Sequence, residues 1–389
     1  MTRTFNPVYS GRPQSIFPTM SKLARAHEAI NLGQGFPDED GPREILEIAA
    51  RAVIDGPNQY TPVEGLPELR EAIARDNRRF YGLDIDPVTE TMVVSGATEG
   101  LAAAFQGFLE PGDEAVLLAP FYECYAPQIE AARGRIRFVD LEPPDWRLDK
   151  EALEAAITDK TKLIVINTPH NPLGKVMTRS ELEIVADAAL RHDLIVICDE
   201  VYEHLVFDGR PHIPLMTLPG MRERAIRIGS AGKTFSLTGF RIGYVTGPAP
   251  LITALMKAHQ HLSYTSPGAL QKAVAAGLDL GDDYYRSFVS GMQAKRDMLA
   301  AGLARAGFDV LPCEGTYFIN VDIRSVGRND DDAFCREITE KAKVAAVPIS
   351  AFYHPFHQDA PRHYARFCFC KRPEILEEAA ARLQAYFSS

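Results

Sequence analysis

Six short apolar runs recur through the middle of this 389-residue sequence and limit the folds that it can adopt. Nearly uninterrupted apolar runs of this length are typical of parallel strands covered on both faces. Helical patterns separate several of the runs, and one at residues 180–192 is preceded by a Thr178-x-x-Glu181 capping box. We therefore predict an α/β domain with three layers and a mostly parallel sheet. The runs are residues 92–95, 115–119, 163–167, 194–198, 225–229 and 242–246.

The pattern changes after residue 283, where few strands and several helices predict a smaller α+β domain. We assign residues 46–283 to the large domain and residues 284–389 to the small domain. Residues 1–45 form an N-terminal segment that we expect to pack with the small domain. The predicted small-domain helices are 284–306, 331–342 and 373–386, and the strands are 308–311, 316–322, 345–349 and 363–370.

Composition excludes several classes of protein. The formal net charge is -10, which argues against nucleic acid as a partner because nucleic-acid binding usually needs a basic face. No apolar run reaches the length that spans a bilayer, and the N-terminus lacks the apolar core of a secretory signal. The six cysteines are too few and too scattered for a disulfide scaffold. Cys368 and Cys370 are two residues apart on one predicted strand, so we expect them to share a face as free thiols. We expect a cytoplasmic enzyme.

A Gly- and Ser-rich loop between the last two apolar runs carries Ser230, Lys233 and, eight positions further on, Arg241. A lysine confined by small residues can be a Schiff-base nucleophile, because desolvation and nearby cations lower the pKa of its amine. Ser230 and Arg241 would suit the phosphate of an aldehyde cofactor. A lysine between strands is, taken alone, more often a solvated surface residue, so other motifs must decide.

Polar residues follow three other runs at their carboxyl ends. Asp199 ends one run, and a buried carboxylate there is costly unless it pairs with a cation or strong donors. Tyr202 lies three residues on, and Asn171 lies in a rigid Asn-Pro turn. Gly96-Ala97-Thr98 joins a strand to a helix, which makes an anion site from free N–H groups and the helix dipole. The alternative for Asp199 is a helix cap or a Mg²⁺ ligand. The alternative for Asn171 is a turn with no role in binding.

Three further positions suggest ligand contacts. Tyr122 follows an apolar run and offers a ring to stack on a flat heterocycle, although a core or rim aromatic is the alternative. Arg366 lies in an otherwise apolar strand and suits bidentate capture of a carboxylate, unless it pairs with an acidic side chain for structural reasons. Gly35 lies in the Gly-containing segment 31–38, which lets backbone approach a ligand closely or simply forms a turn.

These motifs occur in a fixed order, and together the chain resembles class I (fold-type I) aminotransferases dependent on pyridoxal phosphate. The segments 31–42 and 199–207 are similar to the branch that holds kynurenine/glutamine, methionine and N-succinyldiaminopimelate aminotransferases. Kynurenine enzymes commonly carry an aromatic-histidine pair where this chain has Tyr264-Thr265-Ser266-Pro267, which argues against kynurenine as a substrate.

The resemblance implies a fold-type-I architecture, a bound pyridoxal phosphate and a role for each motif residue. Lys233 would be the Schiff-base lysine and general base, Asp199 the partner of the pyridine nitrogen, and Asn171 and Tyr202 the partners of the ring oxygen. Tyr122 would stack on the ring. The phosphate would be held by Ala97, Thr98, Ser230 and Arg241, with Tyr60 reaching it from the partner subunit of a homodimer with shared active sites.

For the substrate, the resemblance implies that Arg366, Asn171 and the Gly35 backbone hold the α-carboxylate. The other expected lining is aromatic, namely Phe17, Tyr122, Tyr264, Phe352 and the partner's Tyr60, and it offers no second cation. Burying an unpaired carboxylate costs several kcal/mol, whereas an apolar side chain gains about 1.5–3 kcal/mol. We therefore expect a neutral amino donor (methionine, glutamine, aromatic or aliphatic), a 2-oxo acid acceptor and a ping-pong mechanism. An N-succinyldiaminopimelate or aspartate-type aminotransferase and a cysteine-conjugate β-lyase are the alternatives.

Other classes receive less support from the sequence. His354-x-x-His357 is interrupted by Pro355, which spoils presentation on one helical face, and we predict no metal site. A ligand-sensing regulator needs an appended DNA-binding module, for which no basic helix pair is present. No G-x-G-x-x-G joins a strand to a helix, as a nicotinamide oxidoreductase requires.

Overall fold

A computed structural model describes residues 5–12, 14–357 and 359–388 of the chain. In this part of the chain the strands, in chain order, are Ile30–Asn31 (β1), Thr91–Val94 (β2), Glu114–Ala119 (β3), Arg135–Asp140 (β4), Thr161–Asn167 (β5), Ile195–Asp199 (β6), Ala225–Ser230 (β7), Gly243–Thr246 (β8), Asp309–Val310 (β9), Phe318–Asp322 (β10), Val344–Ala345 (β11), Val347–Pro348 (β12) and Tyr364–Cys368 (β13).

The α-helices begin and end within two or three residues of the predicted limits, except that the α-helix predicted at 331–342 ends at Glu337 and continues as a π-helix over Ile338–Ala342. The capping box is confirmed, because the Thr178 hydroxyl accepts from the Glu181 N–H and the Glu181 carboxylate accepts from the Thr178 N–H. The helices are Pro7–Ser10 (α1), Ile16–Ala26 (α2), Arg43–Asp55 (α3), Pro67–Tyr81 (α4), Ala97–Phe108 (α5), Tyr125–Ala131 (α6), Lys150–Ala156 (α7), Arg179–Arg191 (α8), Ala231–Thr234 (α9), Ala249–Leu262 (α10), Gly268–Leu278 (α11), Asp282–Arg305 (α12), Asp331–Glu337 (α13) and Pro373–Phe387 (α14).

The central sheet has seven strands among the described residues, in the order β2-β8-β7-β6-β5-β3-β4. All neighbours are parallel except that β8 runs antiparallel to both β2 and β7, so the mostly parallel sheet is confirmed. The apolar run at 242–246 was expected to be parallel, which was wrong for this one strand. Strand β4 was not predicted, because it lies at the sheet edge and its alternating Arg-Ile-Arg-Phe-Val-Asp sequence forms no apolar run.

Helices cover both faces of this sheet. Successive residues of β2 point to opposite faces: Met92 and Val94 belong to one hydrophobic core and Val93 belongs to another. The larger core includes α5 and α8, and the smaller one is closed by α3, α4 and α11. The three layers that the sequence predicted are therefore present, and none of the described helices is both long enough and apolar enough to cross a membrane.

The carboxyl ends of three parallel strands meet at one edge of the sheet. Asn167 at the end of β5 is paired with Asp199 at the end of β6, and Asp199 is paired with Ile228 of β7. Ligands of open α/β sheets bind beyond this edge. The register thus brings together the sequence motifs that end these strands.

The C-terminal part of the chain forms a second sheet, antiparallel throughout, in the order β12-β13-β10-β9. Helices α12 and α14 pack against each other beside it. The N-terminal segment joins this part, because β1 pairs with β11 in parallel and α2 contacts β11 and β12. Helix α12 spans residue 284, so the predicted domain limit falls inside a continuous helix.

Beneath the sheet, Arg227 of β7 lies in a buried ion network. Its Nε donates to Glu200 Oε2 and its Nη2 to Glu203 Oε2, both at 2.6 Å. All three side chains are almost completely shielded from solvent. Two buried carboxylates therefore share this one guanidinium, and Glu200 Oε2 also lies 2.9 Å from His212 Nε2. The strand that carries Arg227 also leads to the Lys233 loop.

We expect Arg227→Met to lower the free energy of unfolding by about 3–5 kcal/mol, because it removes the guanidinium that Glu200 and Glu203 share and leaves both carboxylates buried. Urea unfolding followed by circular dichroism measures this loss. Arg224→Met is the matched control, since Arg224 pairs with the exposed Asp193, and its effect should be much smaller. Equal losses in the two variants would contradict a special role for the buried network.

Candidate active site

A cavity of about 270 Å³ lies at the carboxyl edge of the central sheet, where the small domain faces it. Its lining comes from strand ends, from the start of α5, from the segment after β1 and from β10 and β13. The lining residues are Phe17, Gln34, Gly35, Phe36, Ala97, Thr98, Leu101, Tyr122, Asn167, Asn171, Asp199, Val201, Tyr202, Ser230, Lys233, Arg241, Phe318 and Arg366.

Lys233 reaches the cavity from α9, the single helical turn that follows β7. Its Nζ donates to the Gly35 carbonyl oxygen at 3.3 Å and lies 5.4 Å from the Tyr202 ring centroid. The Tyr317 hydroxyl donates to the Lys233 backbone carbonyl at 2.8 Å, which fixes the turn. Desolvation lowers the pKa of the Lys233 ammonium, so this amine loses its proton more readily than a surface lysine.

Asp199 is buried at the end of β6. Its Oδ2 accepts from the Tyr125 hydroxyl at 2.5 Å, and its Oδ1 accepts from the Val201 N–H at 3.4 Å. Burial raises the pKa of Asp199 to about 6 in spite of these two donors. Within the described residues no cationic side chain forms an ion pair with it, so the carboxylate can accept a cationic donor from a ligand.

An anion site lies where β2 passes into α5. The helix begins at Ala97 after Gly96, whose φ of +79° is strained for any residue with a side chain. A Cβ atom on Gly96 would come within 2.5 Å of Arg241 Nη2, so glycine leaves room for the guanidinium. The free N–H groups of the first turn, the helix dipole and Arg241 together favour a bound phosphate.

Arg366 of β13 is fully buried, and its guanidinium faces the same cavity. Nη1 donates to Asn171 Oδ1 at 2.7 Å and Nη2 donates to the Gly33 carbonyl at 2.8 Å. The group stacks 3.9 Å from the Phe318 ring centroid and 4.7 Å from that of Phe352. Burial lowers the pKa of Arg366 to about 10, which leaves it charged at neutral pH.

The structure brings most of the predicted site residues to this cavity and places three elsewhere. Phe352 lies behind Arg366 and stacks on its guanidinium without lining the cavity. Tyr60 and Tyr264 lie on the surface, 82% and 46% exposed, with ring centroids 5.4 Å apart. The roles assigned to individual residues remain predictions.

Sequence reasoning missed Tyr125, Asn167 and Phe318. The Asn167 side chain orders the edge of the sheet: its Nδ2 donates to the Asp199 carbonyl at 2.8 Å and its Oδ1 accepts from the Asn171 N–H at 2.7 Å. Its position at the end of an apolar run was a usable signal. Tyr125 and Phe318 carry no such signal, because only the packing of α6 and β10 against the sheet turns them toward the site.

The two histidines considered for metal binding have separate partners. His354 Nε2 lies 3.0 Å from Glu130 and His357 Nε2 lies 2.8 Å from Asp140. Elsewhere Asp76, Glu203 and His204 bring possible ligand atoms within 4.8 Å of one another, and Arg227 already pairs with this Glu203.

Comparisons with known proteins identify the family of this chain. Residues 27–383 match the family Aminotransferase class I and II. A probable N-succinyldiaminopimelate aminotransferase of Mycobacterium tuberculosis is 46% identical over 377 residues, or 95% of each chain. The methionine aminotransferase of Escherichia coli is 40% identical over 371 residues, also 95% of each chain. The solved structure of the N-succinyldiaminopimelate aminotransferase from Mycobacterium tuberculosis superimposes with a TM-score of 0.95 at 45% identity and covers 98% of this chain and 100% of that chain.

The chain therefore belongs to the class I and II aminotransferase family. It is an enzyme, and its reaction is the transfer of an amino group. The predicted fold class and the predicted family are both confirmed.

We expect Asp199→Asn to stabilise the cofactor-free protein at pH 7 to 8 by about 3 kcal/mol relative to the wild type. Because burial raises the folded-state pKa of Asp199 from 3.8 to about 6, its contribution to stability is fully present below its unfolded pKa and is lost as the pH rises through about 6. The difference between the proteins should therefore vanish near pH 4. Urea unfolding from pH 4 to 8 measures it, with the exposed Asp187→Asn as control. A stability difference between the two proteins that does not change with pH would contradict the raised pKa of Asp199.

Proposed function

We propose that this aminotransferase uses pyridoxal phosphate and acts as a cytoplasmic homodimer with shared active sites. We further propose that it moves the amino group between a neutral L-amino acid and a 2-oxo acid by a ping-pong mechanism. The observation that carries the proposal is the placement of Lys233, Asp199 and Arg366 around one cavity.

Three features of the cavity suit pyridoxal phosphate. The start of α5 with Arg241 offers a phosphate site, and Gly96 leaves the room that this site needs. The buried Asp199 carboxylate lacks a cationic partner among the described side chains, and a protonated pyridine nitrogen would supply one. Tyr122 and Leu101 line the cavity where a flat ring would lie. When bound, this cofactor supplies an aldehyde that condenses with amines and a ring that withdraws electrons from the substrate Cα.

The protein side of the reaction is proton transfer and orientation. Lys233 Nζ, whose pKa is lowered by desolvation, is suited to accept the proton from the substrate Cα and to return it at the next step. Asp199 would hold the pyridine nitrogen in its charged form, and the Tyr125 hydroxyl holds Asp199 in place. Because Asn171 Oδ1 already accepts from Arg366, its Nδ2 is left to donate to the ring oxygen, together with the Tyr202 hydroxyl.

Arg366 is suited to hold the α-carboxylate of the substrate. Its Nε is buried and has no hydrogen-bond partner among the described residues, and an unpaired buried donor is costly. A carboxylate oxygen would satisfy it. Asn171 and the Gly33 carbonyl fix the guanidinium from the other side, so its plane is set before the substrate arrives.

Among the described residues, the cavity offers no second cation for a distal carboxylate. Among the described lining residues the cationic ones are Lys233, Arg241 and Arg366, and each already has a role in the proposed site. The side chains around Arg366 are instead Phe17, Phe318 and Phe352. A neutral side chain is therefore favoured over an anionic one.

A partner subunit would complete the site. Tyr60 and Tyr264 are exposed although both are large hydrophobic side chains, and their rings are in contact with centroids 5.4 Å apart. Ile54 and Leu262, close to them in sequence, are also exposed. Exposed apolar groups that occur together mark interaction surfaces. In a homodimer this surface would bring Tyr60 of the partner subunit toward the phosphate.

We expect Lys233→Ala to abolish transamination and to leave no borohydride-reducible adduct between protein and cofactor, because no other described lysine lines the cavity. Mass spectrometry of the reduced protein measures the adduct independently of activity. Lys257→Ala, on the exposed face of α10, should retain both the adduct and the activity. Normal turnover by Lys233→Ala would overturn the proposed role of this lysine.

The substrate class is tested with isosteric pairs of donors. We expect kcat/KM to be at least about ten-fold higher for asparagine than for aspartate, since burying an unpaired carboxylate costs several kcal/mol. Methionine, phenylalanine and glutamine should also exceed aspartate. A clear preference for aspartate or for a succinylated donor would contradict the neutral pocket. Release of pyruvate, ammonia and a thiol from a cysteine conjugate, with no 2-oxo acid added as acceptor, would instead indicate β-elimination.

Shared active sites predict complementation between inactive variants. Mixed dimers of Tyr60→Ala and Lys233→Ala chains should regain part of the wild-type activity, because one site in each mixed dimer then has both residues. Neither variant alone, carried through the same mixing procedure, should gain activity. The control mixture combines Tyr9→Ala with Lys233→Ala. Tyr9 is exposed and lies elsewhere, so the Tyr9→Ala protein should be fully active before mixing. Confirmed mixed dimers without recovery would overturn the shared site.

A further inference from the structure

Two thiols lie side by side next to the lysine of the active site. Cys368 ends β13 and Cys370 follows two residues later, with their Sγ atoms 3.1 Å apart. Both side chains are buried, with 0% and 1% of their surface exposed. The sulfur atoms need to approach by only about 1 Å to reach the length of a disulfide bond. The sequence predicted that these thiols share a face, and the function described above does not use them.

The surroundings favour a reactive thiolate at Cys368. Burial raises the pKa of its thiol, but the hydrogen bonds from the Cys370 thiol and backbone, with the cations Lys371 and Arg366, outweigh burial and hold this pKa below that of an ordinary cysteine. Attack on a peroxide requires the thiolate form. The second thiol, at Cys370, is already within reach of any product formed on the first.

We propose that Cys368 and Cys370 form a site of reversible oxidation by hydrogen peroxide, and that the resulting disulfide slows transamination. The Cys368 thiolate attacks one peroxide oxygen, the O–O bond breaks, and a sulfenic acid forms with release of hydroxide. The Cys370 sulfur then attacks the sulfenic sulfur, the S–S bond forms, and water leaves. The hydroxide takes up a proton, so two thiols lose two electrons and one peroxide becomes two waters.

The backbone around the thiols connects them to the active site. The Cys368 N–H donates to the Leu32 carbonyl at 2.7 Å, and Lys371 Nζ donates to the Phe36 carbonyl at 2.9 Å. These two bonds hold the segment whose Gly35 carbonyl accepts from Lys233 Nζ.

A second connection runs through Tyr317. The Phe369 N–H donates to the Tyr317 carbonyl at 2.9 Å, and the Tyr317 hydroxyl donates to the Lys233 carbonyl. Drawing the two sulfur atoms together therefore moves supports on both sides of Lys233, and displacements of about 1 Å in an active site cost up to about 10²-fold in rate. The effect on activity rests on the proposed function, whereas formation of the disulfide does not.

The test treats the holoenzyme with hydrogen peroxide and follows two readouts. Peptide mass spectrometry should show a peptide in which Cys368 and Cys370 are linked, with the loss of two hydrogens. The kcat/KM for the preferred donor should fall at least about ten-fold and recover with dithiothreitol. Mass spectrometry needs no substrate. If the enzyme proved inactive with every amino donor, the proposed function would be overturned, but the mass spectrum would still show whether the disulfide forms.

Cys370→Ser should be active and should keep its activity in peroxide, with Cys370→Ala as a second variant if a buried serine is not tolerated. Cys335→Ser, a buried cysteine of α13, is the matched control and should lose activity in peroxide as the wild type does. Absence of the linked peptide, a linked peptide with unchanged kcat/KM, or equal peroxide sensitivity of the Cys370 variants would each overturn the proposal.

Discussion

The cost of holding charged groups away from water governs this structure. Lys233, Asp199 and Arg366 surround one cavity and are shielded from solvent. Burial shifts the pKa of each in the direction that favours its uncharged form. Each is kept in place by groups from other elements: Tyr317 and Gly35 for Lys233, Tyr125 for Asp199, and Asn171 and Gly33 for Arg366. Some of their hydrogen-bonding capacity stays unused, as at Arg366 Nε, and this unused capacity is what a bound cofactor and substrate can satisfy.

The two parts of the chain contribute different chemistry to that cavity. The parallel sheet supplies Asp199, Lys233 and the free N–H groups at the start of α5 from its carboxyl edge, where the strand register fixes the spacing of the strand ends. The antiparallel sheet supplies Arg366, and the segment after β1 crosses between them with its Gly33 and Gly35 carbonyls. The distance between the groups that would bind the cofactor and the carboxylate therefore depends on how the two sheets pack. The same packing places Cys368, at the end of β13, and Cys370, two residues later, beside the segments that hold Lys233.

Much of the fold could be predicted because the burial of a strand determines which of its residues are apolar. Strands covered on both faces favour apolar residues at nearly every position, so β3, β5, β6 and β7 appeared as nearly continuous apolar runs, interrupted in β7 by Arg227. The edge strand β4 is exposed to solvent on one face, so its polar and apolar residues alternate, and it was not predicted. The antiparallel direction of β8 was missed for another reason: an apolar run carries no information on which way the strand points.

By itself the sequence determined the three-layer sheet, the order of the motifs and the charged residues that needed partners. Strand ends were the decisive signal, because parallel strands bring their carboxyl ends to one edge. Only the tertiary structure decided which partners those residues have. Tyr125 reaches Asp199 across 74 residues and Asn171 reaches Arg366 across 195, and no local pattern encodes such contacts. It also decided that Phe352 supports Arg366 from behind and that Tyr60 and Tyr264 face solvent, because exposure depends on packing between elements distant in sequence.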